Sequence, residues 1–147
     1  MSPYRILEHT ADLGIEATGP DAAETLAQAA LALTTIITGR EHAHALGRPD
    51  RELRFRVEAP DRDALAVAFL SELLWHFESQ DLVWLGGGVR VEQTPEGLLC
   101  AEAEGNALVH DSSKHGQGVE VKAVTYHGLA FGPQPRGEWL LRVILDI

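Results

Sequence analysis

The final ten residues of the chain, EWLLRVILDI (Glu138–Ile147), say most about the architecture, because a nearly continuous apolar run there ends on an acidic residue. Such a run predicts a strand that is covered on both faces and does not lie at a loose edge of a sheet. Chain ends usually fray unless something holds them. We therefore expect Asp146 and the carboxylate of Ile147 to be held in place, where the repulsion between two adjacent anionic groups requires a counter-charge.

Two amphipathic helices precede this strand. Asp21 and Glu24 match a capping box at the start of the first helix, and Gly39 closes it. Asp61 opens the second helix, in which one apolar stripe recurs at four-residue steps, namely Leu65, Phe69, Leu73 and Phe77.

Strand-like segments surround the helices. Residues 52–59 alternate apolar and charged side chains, residues 81–105 indicate three short strands with a glycine turn at Gly86–Gly88, and residues 119–131 alternate again. Several strands joined by short turns, with two helices among them, are typical of the α+β class. We predict a single domain over residues 1–147, with a largely antiparallel β-sheet and two main amphipathic helices packed on one face.

Composition restricts the classes of function. The chain has 147 residues and a net charge of -10, which disfavours direct, extended binding of RNA or DNA and suits cations or a basic protein partner. The single cysteine, Cys100, excludes an internal disulfide and a thiolate zinc site. Since neither a secretion signal nor an apolar run long enough to span a membrane is evident, we expect a cytoplasmic protein without membrane association.

Asp12 interrupts the sheet-like beginning of the chain. If this break folds against the final strand, Asp12, Asp146 and the carboxylate of Ile147 form an all-oxygen cluster suited to a hard divalent ion, above all calcium. Magnesium also fits such a cluster, and the nearby His9 keeps zinc in consideration. The residues alone leave a second interpretation open, in which Asp12 caps a turn and Asp146 is simply a solvated terminus.

Three segments together carry a resemblance to a known family. HTADLG (His9–Gly14), VEVKAVTYHGL (Val119–Leu129) and the terminal LDI (Leu145–Ile147) resemble archease, the small protein cofactor of RtcB-type RNA ligases. The resemblance covers essentially the whole chain. It implies an α+β fold and a divalent cation, typically calcium, held by Asp12, Asp146 and Ile147, the last through its backbone or terminal carboxylate.

The resemblance also implies a function in tRNA splicing and RNA repair. The family helps the ligase to become guanylylated and to turn over many times, while the GTP, the manganese and the nucleophile belong to the ligase. This protein would then be a non-catalytic activator. Five further residues are candidates for supporting the cation ligands or contacting the partner: His9, Asp111, Lys122, Tyr126 and His127.

Two other classes of function compete with this interpretation. A small metal-dependent phosphoester hydrolase would use the carboxylates to hold the ion and His9 or His127 as the acid-base group. Against it, no Ser, Cys or Asp nucleophile stands beside a base in a recognisable pattern. A small-ligand or chaperone-like binding module has only the acidic surface in its favour.

Overall fold

A computed structural model describes residues 3–8, 12–41 and 46–147. Within these ranges the elements follow in the order β1 (Tyr4–Glu8), β2 (Asp12–Gly19), α1 (Ala22–Thr38), β3 (Arg51–Ala59), α2 (Arg62–Gln80), β4 (Leu82–Gln93), β5 (Leu99–Val109), α3 (Ser112–His115), β6 (Ala123–Pro133) and β7 (Trp139–Asp146). No helix in the described ranges is both long enough and apolar enough to cross a bilayer.

The strands form two sheets in which all neighbours are antiparallel. One has the order β1-β2-β7-β6, and the other has the order β3-β5-β4. The final strand, β7, therefore lies between two neighbours, and its alternate side chains Leu141, Val143 and Leu145 are fully buried. The predicted α+β class is confirmed, as is the expectation that the last strand is not an edge.

Both main helices begin where the sequence predicts. The Asp21 carboxylate accepts a hydrogen bond from the Glu24 N–H at 2.8 Å, and Gly39 ends α1 in the left-handed conformation with φ 70°. The other half of the predicted capping box does not form, because the Glu24 side chain accepts instead from Gln28. Asp61 caps α2 in the same way, through the N–H of Ala64.

Each helix contacts both sheets. Helix α1 packs on β1, β2 and β7 of one sheet and on β4 of the other, while α2 packs on β6 and on all three strands of the smaller sheet. Two sheets cover more of a helix than one sheet can. This explains why polar residues of α1 such as Thr25, Thr34 and Thr38 are buried, each donating its hydroxyl hydrogen to a backbone carbonyl.

The predicted turn at Gly86–Gly88 is wrong, because β4 continues through all three glycines. Gly87 lies directly opposite Gly105 of β5, and a Cβ on Gly87 would overlap the backbone there. Glycine at this position permits close approach of two strands and does not reverse the chain. The register between β4 and β5 shifts at a bulge between Trp84 and Gly86.

The strand predicted from Val119 onwards starts later, at Ala123. The N–H groups of Gly118 and Val119 donate to the carbonyls of Ile37 and Ile36 at 2.9 and 3.0 Å. These residues therefore satisfy the C-terminal end of α1, and the ladder with β7 begins only after them.

Candidate metal centre

The antiparallel pairing of β2 with β7 sets Asp12 directly opposite Asp146. Residues opposite one another in such a ladder have Cα atoms about 4.5–5.5 Å apart and side chains on the same face. Leu13 and Leu145, the next residues along, are buried in the core. The two carboxylates therefore share the outer face of the four-stranded sheet, at the end where β2 starts and β7 stops.

The Asp12 carboxylate lacks a partner among the described residues. Its Oδ1 atom is buried and accepts no hydrogen bond from them. An unsatisfied buried acceptor costs about 1–3 kcal/mol, and more when the group is charged. A hard cation between Asp12 and Asp146 would remove both this cost and the repulsion between like charges, so the donor set fits such an ion.

Two further segments meet at this corner of the molecule. Ile147 is half-buried and packs against the main core, so the chain end is held as expected. The Lys122 N–H donates to the Asp146 carbonyl oxygen at 2.8 Å. The final residues thus lie between the beginning of β2 on one side and the segment leading into β6 on the other.

The supporting residues predicted from the sequence have different placements. Lys122 adjoins Asp146 through its backbone, but its exposed ammonium makes no ion pair with Asp12 or Glu120. Tyr126 and His127 are exposed in an irregular part of β6. His9 lies outside the described residues.

Asp111 is not brought to the carboxylate pair. It caps α3, where its Oδ1 accepts from the N–H and the hydroxyl of Ser113 at 3.0 and 2.7 Å. The hydrogen bond from the Ser113 hydroxyl is the main reason why the pKa of Asp111 is lowered.

Within the described ranges, no three His, Cys, Asp or Glu side chains are placed to share an ion. An ion between Asp12 and Asp146 would therefore complete its coordination with backbone or terminal oxygens and water, as calcium does readily.

Sequence reasoning missed an ionic cluster on the same outer face. The Glu16 carboxylate accepts from Arg5 of β1 and from Arg142 of β7, the latter at 3.1 Å to Nε and 2.6 Å to Nη2. The two guanidinium groups, Arg142 first, hold the pKa of Glu16 below its usual value despite burial of the carboxyl. The alternate positions of Asp12, Gly14 and Glu16 could have indicated this cluster, because alternate residues of a strand lie on the same face.

Between this cluster and the carboxylate pair the outer face is apolar. Gly14 lies opposite Leu7 on one side and Ile144 on the other. A Cβ on Gly14 would meet the Leu7 Cβ at 3.0 Å, so Leu7 already occupies that space. The arginine charges are thus engaged by Glu16, and the pair at the strand ends is left without a described cation.

Comparison with known proteins agrees with this architecture. The model of the archease protein family matches residues 4–147. Protein archease of Pyrococcus abyssi is 34% identical and that of Thermococcus gammatolerans 36% identical, each over 100% of both chains. The solution structure of Methanobacterium thermoautotrophicum protein 1598 is similar with a TM-score of 0.79, at 28% identity and with 100% of both chains covered. The chain belongs to the archease family.

Proposed function

We propose that this protein is a non-catalytic activator of an RtcB-type RNA ligase in tRNA splicing and RNA repair. It promotes guanylylation of the ligase and so allows the ligase to act many times. Membership of the archease family supports this function, together with the HTADLG, VEVKAVTYHGL and terminal LDI segments. GTP and manganese are reactants and cofactors of the ligase.

The proposal includes a divalent cation, calcium in the first place, with Asp12, Asp146 and Ile147 as the residues that hold it. The observation that carries this part is the register of β2 and β7, which places two carboxylates opposite each other while the buried Oδ1 of Asp12 has no described partner. The ion supplies positive charge at the point where three segments of the chain meet. The protein supplies oxygen ligands fixed by strand pairing.

The overall charge supports a basic protein partner. A net charge of -10 creates a potential that speeds the encounter with a nucleic-acid-binding enzyme, since opposite potentials raise association rates even where they add little affinity. The same charge disfavours direct binding of RNA along an extended surface.

The test is a turnover assay with the cognate ligase, GTP, manganese and an RNA with 3′-phosphate and 5′-hydroxyl ends. We expect the number of joints per ligase to rise well above one only when this protein is present. Asp12→Ala should abolish the stimulation and calcium binding while the circular dichroism spectrum of the fold persists.

The matched control is Glu104→Ala, which removes an exposed carboxylate of the other sheet and should leave the stimulation intact. No gain with a cognate ligase would contradict the proposal. If the protein alone then hydrolysed a phosphoester, the metal-dependent hydrolase would replace it.

A further inference from the structure

The irregular part of β6 forms a fixed loop. Thr125 pairs with Ile144 and Ala130 pairs with Arg142, so four residues of β6, 126–129, stand opposite the single residue Val143. Three residues more than in a regular ladder therefore bulge out of the sheet. Such bulges commonly redirect a side chain towards a binding surface.

The loop is anchored at both ends. The Thr125 hydroxyl donates to the Ile144 carbonyl at 2.9 Å and accepts from the His127 N–H at 3.3 Å. Gly128 adopts φ 62°, which favours glycine, and Leu129 packs against the main core. The conformation is thus set by the protein itself, so binding a partner there need not order a flexible segment.

The loop presents Tyr126 to solvent. With 61% of its surface exposed, Tyr126 is among the few large hydrophobic side chains of the described residues that remain open to water. It forms one wall of an open groove whose other wall is the turn Pro60–Ala64 at the start of α2. An exposed aromatic ring beside a groove is typical of residues that dominate protein interfaces.

The groove is anionic. Asp61 and Asp63 form no ion pair with any described residue, and the Asp61 carboxylate accepts only from the Ala64 N–H. Arg62, the residue between them, directs its guanidinium over the Trp139 ring, 5.6 Å from the ring centroid. Arg62 also lines the groove, so two carboxylates face one cation there, and Asp63 forms no hydrogen bond or ion pair with a described residue.

We infer that this groove receives an arginine or lysine side chain from a basic segment of the partner ligase. A cation can lie against the ring of Tyr126 while its N–H groups donate to the carboxylates, and the two attractions reinforce each other. The inference rests on the proposed function, since the ligase is the basic partner. It assigns a second contact surface, separate from the carboxylate pair at the chain ends.

The two surfaces lie near each other along β6. Ala123, at the start of β6, lies opposite Asp146, and Tyr126 follows three residues later. Three strand residues span about 10 Å, a small distance beside the width of a standard protein interface. The two surfaces are therefore close along β6, with the carboxylate pair on the outer face of the sheet and the groove on the side of α2.

The test is titration of the full-length cognate ligase with this protein by calorimetry. Tyr126→Ala should weaken binding about tenfold, whereas Tyr126→Phe should bind nearly as well as the parent, because the ring face is kept. Asp63→Asn should weaken binding and reduce its dependence on salt, since one attractive charge is removed. Trp75→Ala is the matched control: it removes another exposed aromatic, 51% open to solvent, and should leave binding unchanged.

The outcomes separate this inference from the proposed function. If the parent protein binds and stimulates the ligase but Tyr126→Ala binds equally well, the groove is not the contact and the inference is overturned. If Tyr126→Phe and Tyr126→Ala lost equal affinity for the ligase, recognition through the face of the ring would be overturned. If the parent protein neither binds nor stimulates the ligase, the proposed function and the inference fall together.

Discussion

The outer faces of the two sheets carry similar residue types, but their charged side chains are paired differently. On the outer face of the three-stranded sheet Arg54, Arg56 and Arg90 each pair with a glutamate, namely Glu104, Glu58 and Glu102, all at 2.6 Å. On the four-stranded sheet Asp12 and Asp146 face each other, and no described cation pairs with either.

This difference is the reason why we propose the carboxylate pair as the functional site. A groove of about 720 Å³ lies over the neutralised face, between Arg54 and Arg90. Its charged groups already satisfy one another, so a ligand would have to displace ion pairs. The carboxylate pair has charge that the described residues leave uncompensated. Uncompensated charge therefore distinguishes the two faces.

The largest effect should come from removing one charge of the pair. Asp146→Asn or Asp12→Asn takes an anionic ligand from the ion, so we expect the affinity for calcium to fall by about a hundredfold or more. Isothermal titration of the purified protein with calcium measures this change.

Asp146→Asn and Asp12→Asn also test the comparison of the two faces when calcium is absent. Asparagine removes the repulsion across the pair, so the calcium-free variants should resist urea at least as well as the parent. Unchanged calcium affinity, or a large loss of stability without calcium, would contradict the assignment of the pair as a cation site.

We expect substitutions in the three-stranded sheet to change only the stability of the fold. Gly87→Ala places a Cβ against the backbone of Gly105, and we expect the free energy of unfolding to fall by about 2–3 kcal/mol. Gly88→Ala is the matched control, because a Cβ there has no neighbour within 4 Å. Urea denaturation of both variants tests this difference, and equal stabilities would show that the close approach of β4 and β5 is not required.

A smaller effect is expected from Glu16, whose carboxylate joins three strands. Its folded pKa is lowered, so its contribution to stability is complete above the ordinary value of 4.5 and is lost as the pH falls through the lower folded pKa. Glu16→Gln should therefore cost about 1 kcal/mol at neutral pH and progressively less in acid.

The control for Glu16 lies on the other face. Glu104→Gln breaks an ion pair in which both side chains are at least 70% exposed, and little change is expected at any pH. Urea denaturation at several pH values compares the two variants. A pH-independent cost for Glu16→Gln would show that the two arginines do not act through the ionised carboxylate.

Local sequence patterns predicted most of the fold. Asp21 and Asp61 cap their helices as expected, and the apolar run of β7 lies between two strands. Tertiary contacts decided the rest. Gly87 resembles a turn residue in sequence, and only its position opposite Gly105 shows why a strand needs glycine there. Likewise, the backbone of Val119 bonds to the end of α1, which no alternation of side chains reveals.

The candidate site was predictable in part. Acidic residues near both chain ends suggested Asp12 and Asp146, and the register of β2 and β7 sets them opposite one another. The loop at Tyr126 was not predictable, because the three extra residues appear only when β6 is aligned with β7. The Asp111 carboxylate caps α3, and the sequence around Asp111 does not indicate this local interaction.

The most direct test of the central claim is a crystal structure of the protein grown with calcium. The account predicts one strong peak of anomalous density about 2.3–2.6 Å from carboxylate oxygens of both Asp12 and Asp146, absent from crystals of Asp12→Asn. Calcium bound elsewhere, or only water between these two carboxylates at saturating calcium, would contradict it.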